Sequence, residues 1–272
     1  MPWSERSKGD AKRPNPMCTV TVIQLDTPQG PGLRLISSRD EQDTRKPAHP
    51  PTWHDLKAAR AIWPTDADSG GTWVAGATSG LLVSLLNYNL KPPPPTPANP
   101  ISRGAVIPQA LKARSIDELA DHLQSMDAAR YVPFRLIAAG IAHNTPRVLE
   151  FRWNGSQKDL IEHNPPVCFA SSGLGDSIAQ PRVPLFNETV APKPTAQTQD
   201  AFHRHAWPDR GAASVYMRRP GASTVSITTV TAIPADSGAW AIEMDYRPTP
   251  RESEPGQDTQ HLSPRARSGA AG

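Results

Sequence analysis

Residues 18–25 read Cys-Thr-Val-Thr-Val-Ile-Gln-Leu, and this β-branched, apolar run decides the fold. A turn-forming cluster with Pro and Gly occupies residues 26–32, and residues 33–36 (Leu-Arg-Leu-Ile) form a second short apolar run. Two apolar runs joined in this way are typical of a β-hairpin with a longer loop. We therefore expect the core to begin with an antiparallel pair of strands, with Cys18 at the start of the first.

Strand and turn signals recur along the chain, with one clear helix among them. Residues 70–76 lead through a glycine turn into the apolar residues 80–87, which predicts a second hairpin. Ser115 begins the predicted helix, because Glu118 has the spacing of a capping box and an apolar face follows with helical periodicity. Many hairpins with few helices predict an α+β fold. Further strands are predicted at residues 134–139, 147–153, 167–170, 214–218, 224–230 and 240–246.

Proline content and polarity set the limits of the domain. The chain has 272 residues and 31 prolines, more than the usual share, so we expect irregular connections, including the proline-rich residues 47–52. Residues 1–16 and 247–272 are polar and lack a hydrophobic period, which predicts a disordered N-terminal extension and a disordered C-terminal tail. A single domain with one core is expected between them, over residues 17–246.

The charge and apolar patterns exclude several classes of protein. The 29 basic and 26 acidic residues are mixed along the chain without a basic, aromatic-rich cluster, so nucleic acid is not an expected partner. No apolar run is long enough for a transmembrane segment, and residues 1–16 lack the apolar part of a signal peptide. Cys18 and Cys168 do not form a disulfide framework of the secreted kind. We therefore expect a cytoplasmic protein, with Cys168 in its core.

Four short motifs occur in a recognisable order. They are Met-Cys-Thr-Val at residues 17–20, Ser-Arg-Asp-Glu at 38–41, Gly-Gly-Thr-Trp at 70–73 and Leu-Asn-Tyr at 86–88. In this order they resemble the NRDE family, also called the transport and Golgi organisation protein 2 family. Its members begin with Met-Cys, carry Asn-Arg-Asp-Glu after the second strand, and follow a Gly-Gly-Thr-Trp element with a Leu-Thr-Asn-Tyr-like strand end. The resemblance covers residues 17–246, and Ser38 departs from it by replacing the usual asparagine.

The resemblance implies an N-terminal-nucleophile-hydrolase-like (Ntn-hydrolase-like) fold, a four-layer αββα sandwich in which two antiparallel sheets lie between helices. This agrees with the α+β pattern that the residues predict. The family is similar to amidohydrolases that cleave C–N bonds other than peptide bonds, and it is tied to secretory-pathway organisation and to lipid or haem handling. Because one fold hosts many functions, the resemblance by itself does not establish an activity.

The resemblance also implies a set of site residues. Cys18 would be the nucleophile, and its own α-amino group, whose pKa is ordinarily about 7.7–8.0, would take the thiol proton. Arg39 would favour the thiolate, Asp40 would hold the ammonium or the arginine, and Asn87 would donate a hydrogen bond to the oxyanion. Five further residues are assigned to the pocket: Ser38, Glu41, Trp73, Ser172 and Arg219.

An internal Cys18 has no free α-amino group, so this chemistry requires that residues 1–17 be removed or not translated. Each motif also has a purely structural interpretation. Cys18 would then be a small core residue, and residues 39–41 would form an ion-pair network at the end of a strand. Residues 70–73 would make a tight turn with a packed tryptophan. Both interpretations stay open at this point.

Three functions are compatible with the sequence. The first is an N-terminal-nucleophile amidohydrolase that acts on a small acylated molecule without a cofactor. The second is a non-enzymatic carrier of a lipid-like acyl group or of haem, with His143, His203 and His205 as candidate haem ligands. The third is an adaptor that uses the prolines at residues 92–95 or the C-terminal tail. No metal site is expected, because His203 and His205, which alternate as on one face of a strand, have no carboxylate or cysteine nearby.

Overall fold

Two antiparallel β-sheets and a few helices form the fold, seen in a computed structural model that describes residues 17–57, 59–173, 175–235 and 239–250. This is the α+β class predicted from the sequence. The predicted extension at residues 1–16 lies outside the described residues, as do residues 251–272 of the predicted tail. Residues 247 and 248, which were placed in that tail, instead continue the last strand.

The strands and helices follow one another along the described parts of the chain. The strands are β1 (Met17–Thr27), β2 (Gly30–Gln42), β3 (His49–Asp55), β4 (Arg60–Thr65), β5 (Val74–Ala77), β6 (Leu82–Asn87), β7 (Phe134–Ala142), β8 (Thr145–Trp153), β9 (Lys158–His163), β10 (Val167–Ser172), β11 (Arg218–Arg219), β12 (Ala222–Pro234) and β13 (Trp240–Pro248). The α-helices are α1 (Val106–Ala110), α2 (Ile116–Ser125), α3 (Asp176–Ala179), α4 (Arg182–Thr189) and α5 (Ala196–His203), and short 3₁₀ helices occur at Arg103–Ala105 and Gly211–Ala213.

The first sheet contains the N-terminal hairpin. Its strand order is β10-β1-β2-β12-β11, and β13 also pairs with β12. β1 and β2 form the predicted hairpin, but both extend well beyond the apolar runs, so that residues 39–41 lie within β2. Cys18 lies opposite Arg39 of β2 on one side and Ser171 of β10 on the other. The backbone at Cys18 is therefore fixed between two neighbouring strands.

The second sheet is a meander in which β3 to β9 follow one another in chain order. Its inner face packs against the first sheet, where Val20 and Leu35 belong to the same apolar cluster as Val74, Leu82 and Ile137. A second apolar cluster covers the outer face of the second sheet and includes residues of α1 and α2. A third covers the outer face of the first sheet and includes residues of α4 and α5. Two sheets that face each other with helices outside are compatible with a layered sandwich.

The predicted helix is confirmed as α2, and it begins as its sequence indicates. Ser115 is the N-cap residue, and its hydroxyl oxygen accepts a hydrogen bond from the backbone N–H of Glu118 at 3.1 Å. The Glu118 carboxylate accepts from the backbone N–H of Arg114 instead of completing the box. Leu119 and Leu123 are buried, so the apolar face packs on the sheet as expected from its period.

The proline-rich residues 47–52 were expected to be irregular, and that prediction was wrong for most of the segment. His49, Pro50 and Pro51 belong to β3, which lies at the edge of the second sheet. Both prolines fall at an irregularity of the β3–β4 ladder, between the pairs His49–Thr65 and Thr52–Trp63, so neither has to donate a ladder hydrogen bond. Two further strands, β4 and β9, were not predicted, because apolar and polar residues do not alternate strongly in their sequences.

Two predictions after residue 200 were also wrong. Residues 214–218 were predicted as a strand, but among them only Arg218 pairs with β12. The Ser214 hydroxyl accepts from the N–H of Trp207, and other loop bonds use the backbone of this segment, so a ladder does not form. His203 was expected on a strand with His205, but it is the last residue of α5.

Candidate active site between the two sheets

Strand alternation decides which residues can meet Cys18. Cys18 packs against the apolar cluster between the two sheets, and Arg39 lies opposite it in β2. The Ser84 hydroxyl of β6 donates to the Ser37 hydroxyl at 3.2 Å, so the odd-numbered residues at this end of β2 face the second sheet. Because successive side chains of a strand point to opposite faces, Asp40 must face the helices instead.

A cavity of about 520 Å³ opens beside Cys18, and we call it the Cys18 cavity. This volume lies in the range of small-molecule sites. Of the residues predicted for the site, six line the cavity: Cys18, Arg39, Asp40, Glu41, Trp73 and Asn87. The cavity is also lined by charged residues to which the sequence analysis gave no role in a site, among them Arg45, Asp66 and Arg103.

Arg39 belongs to an ion-pair network on the wall of the Cys18 cavity. Its guanidinium forms an ion pair with Asp66 and lies 3.4 Å from Glu41 Oε2. It also stacks on Trp73, with its central carbon 4.2 Å from the ring centroid. Arg45 binds Asp66 at 2.8 Å. The predicted ion-pair network at this strand end exists, but Asp66 and not Asp40 is the central acid.

Asp66 is ionised in this network. Burial alone would raise the pKa of Asp66, but hydrogen bonds from Arg45 and Ser69 hold that pKa below its ordinary value. The backbone N–H of Ser69 reaches Asp66 Oδ1 at 2.8 Å. The carboxylate therefore fixes Arg39 and its own loop together. Asp66 directly follows β4, a strand that was not predicted, so no local signal marked it.

Asp40 forms a second polar cluster on the opposite face of the first sheet. Its carboxylate is fully buried, accepts a hydrogen bond from the Thr224 hydroxyl at 2.5 Å, and lies 3.4 Å from the Arg182 guanidinium. Burial raises the pKa of Asp40 to about 6, although Arg182 and Thr224 act in the opposite direction. Asp40 thus lines the cavity while its carboxylate is engaged beneath the sheet. Arg182, which the sequence analysis did not select, is its main partner.

Cys18 carries a neutral thiol in the described chain. Burial raises the pKa of Cys18 to about 12, the charge of Asp40 adds to this effect, and Arg39 offsets only part of it. The residues that line the Cys18 cavity in the described part of the chain include no histidine to act as a base. An internal Cys18 is therefore poorly suited to nucleophilic attack.

We expect the cysteines of the full chain to react slowly with iodoacetamide at pH 8, at least about a hundredfold more slowly than an exposed cysteine, because only the thiolate is nucleophilic. Burial also raises the pKa of Cys168 to about 12. Labelling rates are read by peptide mass spectrometry, with a Cys168→Ala variant to isolate Cys18. Rapid labelling of Cys18 that titrates between pH 6 and 8 would contradict the neutral thiol.

Asn87 and Arg103 line the Cys18 cavity, and neither side chain forms an ion pair within the described residues. Asn87 ends β6, and its carboxamide makes no hydrogen bond within the described residues. Arg103 lies in the 3₁₀ helix before α1 and donates from Nη1 to the backbone oxygen of Pro133 at 3.1 Å. Burial lowers the pKa of Arg103, whereas the charges of Cys18 and Glu41 act to raise it. Both groups can donate hydrogen bonds to a ligand beside Cys18.

Three residues assigned to the pocket do not line the Cys18 cavity. Ser38 is buried beneath the first sheet, where its hydroxyl is 2.7 Å from His203 Nδ1. Ser172 is also buried, and its backbone N–H donates to Asp176 Oδ1 at 2.8 Å. Arg219 lines a separate cavity of about 350 Å³ with Arg218, and only its charge reaches Asp40. Strand alternation explains the position of Ser38.

The three candidate haem ligands lie in three different environments. His143 is exposed in the turn between β7 and β8, and His203 is buried beneath the first sheet. His205 stacks edge-on against Trp207 in the loop after α5. Within the described ranges, no three His, Cys, Asp or Glu side chains are grouped so that they could hold a metal ion. None of the described helices has both the length and the apolar composition needed to cross a membrane.

Comparison with known proteins identifies the family. No curated protein matches the chain. A family model described as transport and Golgi organisation 2 matches residues 17–181, more than half of the chain. The match begins one residue before Cys18, includes the walls of the Cys18 cavity, and ends one residue before Arg182. On the extent of this match and the order of its motifs, the chain belongs to the transport and Golgi organisation 2 family.

Proposed function

We propose that the chain, once it begins at Cys18, hydrolyses the C–N bond of a small acylated substrate by the Ntn-hydrolase mechanism. The observation that carries the proposal is the position of Cys18, at the start of a central strand and on the wall of a cavity whose lining includes the uncommitted amide of Asn87. Two facing antiparallel sheets with helices outside support the Ntn-hydrolase-like, four-layer architecture that this mechanism uses.

The free α-amino group supplies the base that the internal cysteine lacks. The uncharged amine accepts the thiol proton while the sulfur attacks the acyl carbonyl carbon. Asn87 donates a hydrogen bond to the oxyanion that forms. Arg39 lies opposite Cys18 in the β1–β2 ladder, and its positive charge favours the thiolate. When the intermediate collapses, the C–N bond breaks, the leaving amine takes the proton from the ammonium, and Cys18 retains the acyl group as a thioester.

Water completes the reaction. The α-amino group takes a proton from water as its oxygen attacks the thioester carbonyl. Collapse of the second intermediate releases a carboxylic acid and returns the proton to the sulfur, so that Cys18 is restored. Asp40 takes no proton in this scheme. Its carboxylate lies on the helix side of the sheet, where it holds Arg182, and Arg182 in turn donates to the Thr19 hydroxyl near the start of β1.

The test compares three proteins: the full chain, a chain that begins at Cys18, and its Cys18→Ala variant. N-octanoylglycine is the probe, free glycine is the product measured, and mass spectrometry detects an octanoyl group on Cys18. We expect turnover and the thioester only in the chain that begins at Cys18, and a Cys168→Ala control should retain both. Equal turnover by the Cys18→Ala variant, or a natural protein that keeps residues 1–17, would refute the proposal.

A second candidate is non-enzymatic binding of a lipid-like acyl group or of haem in the same cavity. The neutral thiol of the internal Cys18 favours it, because binding requires neither a thiolate nor a free amine. The ion pairs along the cavity wall argue against a purely apolar ligand. A carrier would bind octanoate or haemin equally well before and after Cys18→Ser, without turnover in any form of the chain.

A further inference from the structure

Arg103 differs from the other arginines of the Cys18 cavity, because no carboxylate forms an ion pair with it within the described residues. Arg39 and Arg45 both bind Asp66, and both lie near Glu41. Arg103 has only a hydrogen bond to the backbone oxygen of Pro133. A partly buried cation without a counter-ion is unfavourable unless a ligand supplies the negative charge.

A contact between two glycines holds Arg103 in place. A Cβ atom on Gly71 would lie 2.7 Å from the Cα of Gly104, and one on Gly104 would lie 2.8 Å from the Cα of Gly71. The N–H of Thr72 also approaches the oxygen of Gly104 at 3.4 Å. The Gly-Gly-Thr-Trp motif therefore fixes the backbone next to Arg103 against the cavity. Gly71, the second glycine of the motif, is therefore required for the close contact with Gly104 as well as for the turn.

Arg103 and Cys18 are placed so that one small ligand can contact both. Both line the cavity, and they are close enough for the charge of a Cys18 thiolate to raise the pKa of Arg103. The charge of Glu41 acts on Arg103, but Glu41 and Asp66 form their ion pairs with Arg39 and Arg45, and neither is in direct contact with Arg103. A molecule that places a carbonyl group at Cys18 would bring its neighbouring substituents towards Arg103.

We propose that Arg103 binds a compact oxyanion of the ligand, a carboxylate or a phosphate, and that the Cys18 cavity therefore selects acylated small molecules that carry such a group. The planar guanidinium matches both groups through paired N–H donors. That these molecules are substrates, and not only ligands, rests on the proposed function. The recognition itself is a binding property of the full chain and needs no free amine.

The test uses the full chain with Cys18→Ala, which cannot form a thioester, and measures affinity by calorimetry. Three probes differ in one group only: acetylglycine (carboxylate), acetylaminomethylphosphonate (phosphonate) and acetylglycinamide (neutral). We expect at least one anionic probe to bind about tenfold or more tightly than the neutral probe. Tighter binding of acetylglycine would indicate that the natural ligand carries a carboxylate, and tighter binding of the phosphonate would indicate a phosphate.

Variants of Arg103 decide whether this arginine causes the preference. Arg103→Gln should reduce anion affinity to that of the neutral probe, and Arg103→Lys should retain part of it because the charge remains. Arg130→Gln is the matched control, since that arginine is exposed and outside the cavity. Equal binding of the three probes, no binding of any probe, or an unchanged preference in Arg103→Gln would overturn the inference. Hydrolysis could fail in the earlier test while this preference holds, so the two results are separable.

Discussion

Replacing Arg182 with methionine is expected to lower the free energy of unfolding by about 3–5 kcal/mol at pH 7.5, because it leaves the Asp40 carboxylate buried without its partner. Arg182 and Asp40 are both fully buried. The guanidinium also donates to the Thr19 hydroxyl at 2.6 Å and to the backbone oxygen of Ala213 at 3.0 Å. Methionine fills similar space but satisfies none of these acceptors.

The penalty should depend on pH in a way that a packing defect would not. The charge of Arg182 lowers the pKa of Asp40, so that pKa rises further when Arg182 is absent. At pH 5 the carboxyl group of the variant is then protonated and costs less to bury. We therefore expect a smaller loss of stability at pH 5 than at pH 7.5, measured by urea unfolding with tryptophan fluorescence.

Two comparison variants separate the buried pair from a general loss of an arginine. Arg114→Met breaks an exposed pair with Glu118 and should leave the free energy of unfolding nearly unchanged. Arg182→Met combined with Asp40→Asn should be less destabilised than the sum of the single variants, because each single change strands a buried charge. Strict additivity, or a loss below about 1 kcal/mol in Arg182→Met, would contradict the pairing.

The sequence predicted the parts of the fold that depend on neighbouring residues. The β1–β2 hairpin and the N-cap at Ser115 are local features, and both are confirmed. β3 was missed because Pro50 and Pro51 argue against a strand unless its edge position is known, and edge position is a property of the whole sheet. The four-layer arrangement was implied only by the family resemblance, and the two antiparallel sheets are compatible with it.

The candidate site was predicted only in part, for two physical reasons. Asp66 reaches the Cys18 cavity from the loop after β4 and Arg103 from the 3₁₀ helix before α1, so no spacing in the sequence brings them together. The position of Asp40, by contrast, could have been foreseen. Adjacent strand residues point to opposite faces, so Arg39 and Asp40 cannot both project into one side of the sheet.

His203 provides the second large expected effect, a dependence of stability on acid pH. Its imidazole is fully buried, with Nε2 2.7 Å from the Thr21 hydroxyl and Nδ1 2.7 Å from the Ser38 hydroxyl. Burial, with a contribution from the charges of Arg34 and Arg182, lowers the pKa of His203 to about 3. The folded protein therefore holds this imidazole neutral at any pH above about 3.

His203 and Asp40 change the stability of the protein in opposite directions as the pH falls. Between the ordinary histidine pKa of 6.5 and the folded value of about 3, only the unfolded chain binds the proton, so stability falls as the pH falls. From pH 7 to pH 4 this amounts to a loss of about 3 kcal/mol. Asp40 binds its proton in the folded state at about pH 6 but at 3.8 when unfolded, so it contributes a gain of about 2 kcal/mol over the same interval.

Variants should separate these two contributions, which partly offset each other in the parent chain. We expect Asp40→Asn to lose about 2 kcal/mol more between pH 7 and pH 4 than the parent chain, and His203→Gln to lose about 3 kcal/mol less. Other acids titrate equally in all the chains, so the differences between pH profiles isolate these two groups. His49→Gln, at an exposed histidine, is the control and should follow the parent profile. If His203→Gln also followed the parent profile, His203 could not be the neutral, buried base that its two hydroxyl contacts indicate.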